Sequence, residues 1–360
     1  MRILYILADP MQWNNGCWYD RFHTPGLELQ RIGHEVKSLI VGKSTGEEWI
    51  NWADVAIFGR WYHQDVTKLM ERFQTAGKTV VYEMDDNLWA VPPINHTSDA
   101  SKSQGEAVER MLKLADVVTT TTPELRKVLL KHNKNVFVCP NAVNFGHYTE
   151  RRGDNEKLRV AYSLSVTHHE DIEVILPVIK DLQQKHNFSF IVQGICAQPL
   201  AAEFYAYNFL LNLGVMGENQ NTFYKKGLET IHKIYQLDFE HVPFYPPELH
   251  ARVMREVNAD IGLCPLTDNE FNKSKSCQKF YQYAALGSAT LASDVMPYKK
   301  EVNYCAKNTY KDWYNKLERL LTEEEFRQET YQKQRKWVLE NRNIQKIVEE
   351  CWLPAFSKGR

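Results

Sequence analysis

The residues best suited to chemistry lie in one polar loop between a predicted strand, 261–264, and a helix. That helix is predicted to begin near 274–276 and to end at Gly287. A helix start offers free backbone N–H groups and the positive end of the helix dipole. The polar side chains of this loop and helix start are Asn272, Lys273, Ser274, Lys275, Ser276 and Lys279. The pattern predicts a diphosphate site without a metal ion, and the alternative is a basic helix start that is merely solvated.

Two adjacent carboxylates, Asp85 and Asp86, follow another predicted strand, 79–82. They could be metal ligands, they could orient an acceptor or act as a base in a cleft, or they could belong to a turn or helix start. No cluster of further carboxylates or histidines accompanies them in the sequence. We therefore expect no bound metal, and Asp85 and Asp86 are candidate catalytic residues.

Two smaller patterns could also contact a ligand. His168 and His169 are adjacent, so their side chains diverge and a shared metal is not expected. Either one could donate to a phosphate or simply be exposed. The run from Trp13 to Gly16 closes the first strand, and Gly16 would let the backbone approach a ligand closely, with an ordinary loop as the alternative.

Alternating strands and helices must position these residues. The predicted strands are 3–7, 55–58, 79–82, 117–120, 136–139, 158–162, 188–192, 239–242, 261–264 and 290–292. Most of these runs are mainly apolar, as is typical of parallel strands covered on both faces, and the helices between them supply the crossovers. We predict an α/β fold of two doubly wound, Rossmann-like domains that face a cleft, with ligands outside the carboxyl ends of the strands.

A polar segment at 148–157 separates the two halves. It predicts an N-terminal domain over 1–148 and a C-terminal domain over 149–343, the latter with a helical insertion at 197–237. Three Ala-Asp pairs each stand just ahead of a strand, and their aspartates, Asp54, Asp116 and Asp260, are predicted to be structural.

Composition narrows the class of protein. A chain of 360 residues can form two domains, and a net charge of -1 provides no basic field for nucleic acid or an anionic membrane. The seven cysteines form no close pair, which is typical of free thiols in a reducing compartment. No apolar run approaches the roughly 20 residues of a membrane span, and no signal sequence is evident. We expect a cytoplasmic protein.

Several segments together resemble the group 1 glycosyltransferases of the GT-B fold, of the family 4-like type in a bacterial and phage variant. The loop with Asn272, Ser274, Lys275 and Ser276, followed by a helix ending Tyr-Ala-Ala-Leu-Gly287, resembles their nucleotide-sugar-binding region. Further similar segments occur in order: Gly16, Arg21, Pro25 and Gly33 of the opening, the Asp-Asp segment 82–89, the Pro-Asn turn 138–141, and the loop 162–171. The similarity covers roughly residues 1–300.

The resemblance implies a hexosyl- or pentosyltransferase that uses a nucleotide-diphosphate sugar as co-substrate, retains configuration at the anomeric carbon and needs no other cofactor. It also implies a C-terminal helix, 344–360, that crosses back to the first domain. The expected donor-binding residues are Ser165, Thr167, His168, Phe244, Tyr245, Asn272, Lys273, Ser274, Ser276, Lys279 and Gln282. The expected acceptor-side residues are Trp13, Gly16, Tyr19, Arg21, Arg60 and Trp89. Lys275 would stabilise the leaving diphosphate.

The chain departs from the family pattern at two places. Many members carry two glutamates separated by seven residues, near the sugar hydroxyls and the ribose, where this chain has Ser274 and Gln282. The usual Arg and Lys of the first loop of the second domain are replaced by the residues of 165–169. Lys275 and Lys279 are therefore expected to carry more of the diphosphate charge.

Two alternatives remain open at this point. The acceptor could be a glycan or small molecule, or a hydroxymethylated base in DNA, as for phage enzymes of the same fold; the basic residues of 151–159 leave room for DNA and the neutral total charge opposes it. The chain could also be a non-catalytic, two-lobed sugar- or nucleotide-binding protein. The missing glutamates favour that reading, whereas the phosphate-type residues oppose it.

Overall fold

The computed structural model describes residues 1–7, 16–40, 46–59, 64–93, 98–150, 153–163, 168–194, 218–243 and 245–358. Two parallel six-stranded sheets form its centre. The first contains β1 (Arg2–Leu7), β2 (Glu35–Ile40), β3 (Val55–Gly59), β4 (Thr79–Met84), β5 (Val117–Thr120) and β6 (Val136–Val138), in the order β2-β1-β3-β4-β5-β6. The second contains β7 (Leu158–Ser163), β8 (Phe188–Gln193), β9 (Glu240–Val242), β10 (Ile261–Cys264), β11 (Ala289–Ser293) and β12 (Cys305–Ala306), in the order β12-β11-β10-β7-β8-β9.

All the predicted strands are present, with ends shifted by no more than two residues. Two further strands, β2 and β12, are not among those ten apolar runs. β2 lies at a sheet edge and alternates between exposed and partly buried residues, so it lacks a continuous apolar run. β12 has two residues, too few to leave a pattern in the sequence.

The helices lie between the strands. In the first half they are Gly16–Trp18, Thr24–Arg31, Glu47–Trp52, Gln64–Thr75, Ser98–Leu114 and Pro123–Leu129, with a π-helical turn at Tyr19–His23 and a 3₁₀ turn at Leu88–Ala90. In the second half they are His169–Glu173, Leu176–Lys185, Glu218–Ile234, His250–Val257, Glu270–Lys273, Gln278–Leu286, Tyr298–Glu301, Tyr310–Thr322, Glu324–Asn341, Ile344–Ile347 and Leu353–Ser357, with a 3₁₀ turn at Pro247–Leu249 and a π-helical turn at Val348–Trp352. Within the described ranges, no helix has the length and apolar character needed to cross a membrane.

The three Ala-Asp pairs are structural, as predicted. The carboxylates of Asp54, Asp116 and Asp260 accept hydrogen bonds, each at 2.8 Å, from the backbone N–H groups of Arg2, Val80 and Arg159 respectively. Those three donors lie at or next to the first residues of β1, β4 and β7. Each aspartate therefore closes the start of a neighbouring strand, which satisfies a buried backbone donor and sets the strand's register.

The helix Gln278–Leu286 packs directly on β10, and a glycine makes this possible. A Cβ at Gly262 would lie 2.4 Å from the Tyr283 ring, so a larger residue in the middle of β10 would push the helix away. The helix ends at Gly287, which has a φ of 87°. Close packing here fixes the start of the helix, residue 278, above the carboxyl end of β10.

The C-terminal segment crosses back to the first domain, as the fold resemblance implied. Glu324–Asn341 packs on the second domain, where the Gln334 side chain accepts from the backbone N–H of Thr290 at 2.7 Å. The backbone then pairs with Val143 at Asn343. Beyond it, apolar side chains join the core beside β1 and β3: Ile344, Ile347, Val348, Trp352, Ala355 and Phe356. The final residues of the predicted crossing, 359–360, lie outside the described residues.

The described residues include part of the predicted helical insertion and six of the seven cysteines. Of the predicted insertion 197–237, the helix Glu218–Ile234 is present, while 197–217 lies outside the described residues. The six cysteines of the described ranges form no disulfide bond with one another: Cys17, Cys139, Cys264, Cys277, Cys305 and Cys351.

Candidate functional site

A pocket of about 540 Å³ lies between the two domains. The second domain contributes residues that follow β7, β8 and β10, and in that sheet the strand order reverses between β7 and β10. A crevice outside the carboxyl ends of strands at such a reversal is the usual ligand site of doubly wound folds. The first domain contributes the segment from Gly16 to Arg21 and the Asp85–Asp86 pair.

The start of the helix Gln278–Leu286 points into this pocket without a side-chain cap. The first backbone N–H groups of a helix have no partner within it, so they favour an anion. Lys275 and Lys279 flank this start and both line the pocket. The Lys279 ammonium lies 5.0 Å from the centre of the Tyr162 ring, and burial lowers its pKa to about 8 although Asp171 favours the charged form.

Lys275 is oriented by a histidine and an aspartate. Its Nζ lies 3.5 Å from His168 Nε2, and His168 Nδ1 lies 2.6 Å from Asp171 Oδ2. Burial lowers the pKa of His168 to about 3, and Lys275 and Lys279 act in the same direction. His168 is therefore neutral at physiological pH, so Nδ1–H donates to Asp171 and Nε2 can accept from Lys275.

Asp171 also accepts hydrogen bonds from a second loop, which contains Thr267. Its Oδ1 accepts from the backbone N–H of Thr267 at 2.7 Å and from the Thr267 hydroxyl at 2.9 Å. Burial by itself raises the pKa of Asp171, but these hydrogen bonds and that of His168 bring it down to about 2. One ionised carboxylate thus connects the helix His169–Glu173, which follows β7, with the loop after β10.

A chain of four hydrogen-bonded polar side chains forms another part of the second-domain wall. His250 Nε2 lies 3.0 Å from Gln282 Oε1, His250 Nδ1 lies 2.9 Å from the Tyr245 hydroxyl, and that hydroxyl lies 3.5 Å from Gln193 Nε2. Burial lowers the pKa of His250 to about 4, so the ring is neutral. It donates to Gln282 and accepts from Tyr245. The direction of the chain leaves Gln193 Oε1 buried on the pocket wall without a hydrogen-bond partner among the described residues.

The first-domain wall carries a carboxylate that the sequence did not single out. Asp20 lies in the π-helical turn Tyr19–His23, and its Oδ1 accepts from Gln278 Nε2 at 3.0 Å. Burial raises the pKa of Asp20 to about 7. An ionisable group of this kind in a cleft is typical of functional sites.

The structure gathers most of the described candidate residues at this pocket. They are Gly16, Tyr19, Arg21, Asp85, Asp86, His168, Tyr245, Lys275, Ser276, Lys279 and Gln282. Arg21 is 1 % exposed, and its guanidinium is held by Glu83 at 2.7 Å and by the Cys139 carbonyl at 2.6 Å. The predicted residues Trp13, Arg60, Ser165, Thr167 and Phe244 lie outside the described residues.

Four other candidates are placed elsewhere. Lys273 pairs with Glu270 at 2.6 Å, and the Asn272 amide donates to the Thr267 carbonyl at 2.9 Å within the loop. Ser274 is buried at the domain interface, where its backbone carbonyl accepts from the Thr122 hydroxyl at 2.8 Å. Trp89 stacks on His132 with 5.0 Å between ring centres. None of these four lines the described pocket.

Sequence reasoning missed Asp20, Gln193, His250 and Gln278. Each reaches the pocket through tertiary packing, and none belongs to a spaced motif. A polar residue at the last position of a buried strand was the available signal for Gln193. Among the described residues, no three His, Cys, Asp or Glu side chains come together as a possible metal site.

Comparison with known proteins supports the fold. No protein-family model matches the sequence, and no curated protein matches it. An alpha-glucosyltransferase solved in complex with UDP is similar over 100% of this chain and 99% of its own, with a TM-score of 0.65 and 12% identity. HepE from Anabaena, in complex with UDP and glucose, is similar over 99% of each chain, with a TM-score of 0.66 and 10% identity. TarM is similar over 84% of this chain and 54% of its own, with a TM-score of 0.56 and 12% identity. The chain has the GT-B fold, as predicted.

Proposed function

We propose that this chain is a glycosyltransferase that transfers a sugar from a nucleotide-diphosphate sugar to an acceptor hydroxyl. The observation that carries the proposal is the meeting of Lys275, Lys279 and the uncapped start of Gln278–Leu286 in the pocket between the domains. Two proteins of the same fold support the donor class, because an alpha-glucosyltransferase and HepE were both solved with UDP.

The donor's diphosphate would lie at this helix start. When the bond between the anomeric carbon and the diphosphate breaks, negative charge develops on the leaving group. Lys275, Lys279 and the free amides of the helix start are fixed in place before that charge forms, so they stabilise it without reorganisation. His168 and Asp171 keep Lys275 directed towards the pocket. This arrangement supports transfer without a metal ion, which we include in the proposal.

The nucleoside would extend along the second-domain wall. Gln282 would hydrogen-bond the ribose, and the base would lie against Tyr245 and Gln193. The acceptor would enter from the first domain past Gly16, Tyr19 and the Asp85–Asp86 pair. Retention at the anomeric carbon belongs to the proposal through the resemblance to group 1 enzymes.

A second candidate acceptor is a modified base in DNA. An alpha-glucosyltransferase of the same fold was solved with UDP and a 13-mer DNA containing an HMU base, at 11% identity and a TM-score of 0.65. This similarity supports testing DNA as an acceptor alongside glycans and small molecules.

Product mass spectrometry with a panel of nucleotide sugars tests the function. The protein is incubated with each donor in excess EDTA, together with mixed saccharides or with DNA containing hydroxymethylated bases. We expect one donor to give an acceptor that is heavier by one sugar residue, and the arm in which this occurs identifies the acceptor class. Donor binding without transfer in any arm would indicate a binding protein. Activity that disappears in EDTA and returns with magnesium or manganese would contradict metal independence.

A further inference from the structure

We propose that Asp20 is the catalytic base that takes the proton of the acceptor hydroxyl, an inference that rests on the proposed function. Its carboxylate lines the pocket on the first-domain wall, the side from which the acceptor would enter. Its Oδ1 accepts from the side chain of Gln278, the first residue of the helix that would hold the leaving diphosphate. Asp20 therefore lies one side chain away from the diphosphate site and on the acceptor side of it.

The surroundings of Asp20 suit a base that works near neutral pH. Burial is the main cause that raises its pKa to about 7, and the Asp85 carboxylate acts in the same direction. The neighbouring Arg21 favours the ionised form, but its guanidinium is directed to Glu83 and Asn141. A base is most efficient when its pKa lies near the working pH.

The phenols near Asp20 do not compete for the same proton. Burial raises the pKa of both Tyr19 and Tyr148, and the Asp20 carboxylate contributes in each case. Both phenols therefore stay protonated through the neutral range. In the second domain, behind His168, Asp171 is held ionised by His168 and Thr267 with a pKa of about 2, which makes it a weak base.

The acceptor O–H proton moves to the Asp20 carboxylate while the acceptor oxygen bonds to the anomeric carbon. The bond from that carbon to the diphosphate oxygen breaks, and its electron pair stays on the diphosphate, next to Lys275 and Lys279. Asp20 later releases the proton to solvent.

Steady-state kinetics of Asp20→Asn test the proposal with the donor and acceptor identified by the panel. We expect kcat to fall by about 10²-fold, the low end for loss of a general base, with little change in KM for the donor. Wild-type kcat should rise with pH up to about 7 and then level off, because the base must be ionised. That rise should be absent in Asp20→Asn, and Asp20→Glu should recover part of the rate. The matched control is Asp268→Asn, an exposed carboxylate outside the pocket, which should keep wild-type kinetics.

Thermal unfolding provides a readout that is independent of turnover. The pKa of Asp20 is raised from 3.8 to about 7 by folding, so ionised Asp20 destabilises the wild type progressively as pH rises through that window. Asp20→Asn should therefore gain in melting temperature relative to wild type between pH 5 and pH 8. Three results with Asp20→Asn would each overturn the assignment: no gain in melting temperature, a wild-type kcat, or a lower kcat that still rises with pH. In each case the glycosyltransferase proposal would stand. Absence of transfer by the wild type would overturn both.

Discussion

Lys275→Ala is expected to lower the turnover number by about 10²–10³-fold, the scale for removing one preorganised group that meets developing charge. The ammonium of Lys275 stands in the pocket beside the helix start and is directed there by His168. Binding of the bare nucleoside should hardly change, because other side chains, Gln282, Tyr245 and Gln193, would hold it. Affinity for the nucleoside diphosphate should fall, which calorimetry with UDP and uridine can measure.

The chain contains a matched control for this prediction. Lys273 is two residues away, carries the same charge and pairs with Glu270 outside the pocket. Lys273→Ala should therefore keep both turnover and UDP affinity. Equal UDP affinity in Lys275→Ala and wild type would show that Lys275 is a surface charge. An equal loss of UDP affinity in Lys275→Ala and Lys273→Ala would indicate general electrostatic attraction of the anion rather than a defined site.

Arg21→Met is expected to destabilise the fold by about 3–5 kcal/mol, the usual cost of removing one partner of a buried ion pair. Arg21 and Glu83 have side chains that are each 2 % exposed, and Glu83 also accepts from the Thr119 hydroxyl. Without the guanidinium, the Glu83 carboxylate remains buried and uncompensated. The loss can be measured as the free energy of unfolding in urea.

A double variant separates the contribution of the ion pair to stability from the contribution of side-chain packing. Arg21→Met with Glu83→Gln removes the orphaned charge, so it should be less destabilised than the two single variants added together. Arg252→Ala breaks an exposed pair with Glu256 and should leave the free energy of unfolding nearly unchanged. Strict additivity of the single variants would contradict the view that Arg21 and Glu83 act as one unit beneath the pocket.

The fold could be predicted from the sequence because its elements have strong local signals. Parallel strands buried on both faces are continuous apolar runs, and the end of the helix Gln278–Leu286 is marked by Gly287. The edge strand β2 has no such run, since one of its faces is exposed. Local patterns thus describe the centre of each sheet better than its edges.

The site could be predicted only where its residues share a loop with a spaced pattern. Lys275, Ser276, Lys279 and Gln282 line the pocket, as expected from their positions around one helix start. Lys273 and Asn272 do not, because the long helix begins at Gln278 and these two residues belong to a separate short helix, Glu270–Lys273.

The first-domain residues of the pocket are harder to predict from the sequence. Asp20 lies at the cleft in a π-helical turn, where its side chain contacts Gln278 of the other domain at 3.0 Å. Such a contact joins residues 258 positions apart and has no periodicity to reveal it. Arg21 lies beside it in sequence, yet its side chain turns inward to Glu83, so neighbours in the chain have opposite environments.

The most direct test of the central claim is a crystal structure of the wild-type protein with UDP. We expect the diphosphate between Lys275, Lys279 and the backbone amides at the start of Gln278–Leu286, and the ribose within hydrogen-bond distance of Gln282. Nucleotide bound elsewhere on the molecule, or a diphosphate that contacts neither lysine, would contradict the assignment of this pocket as the donor site.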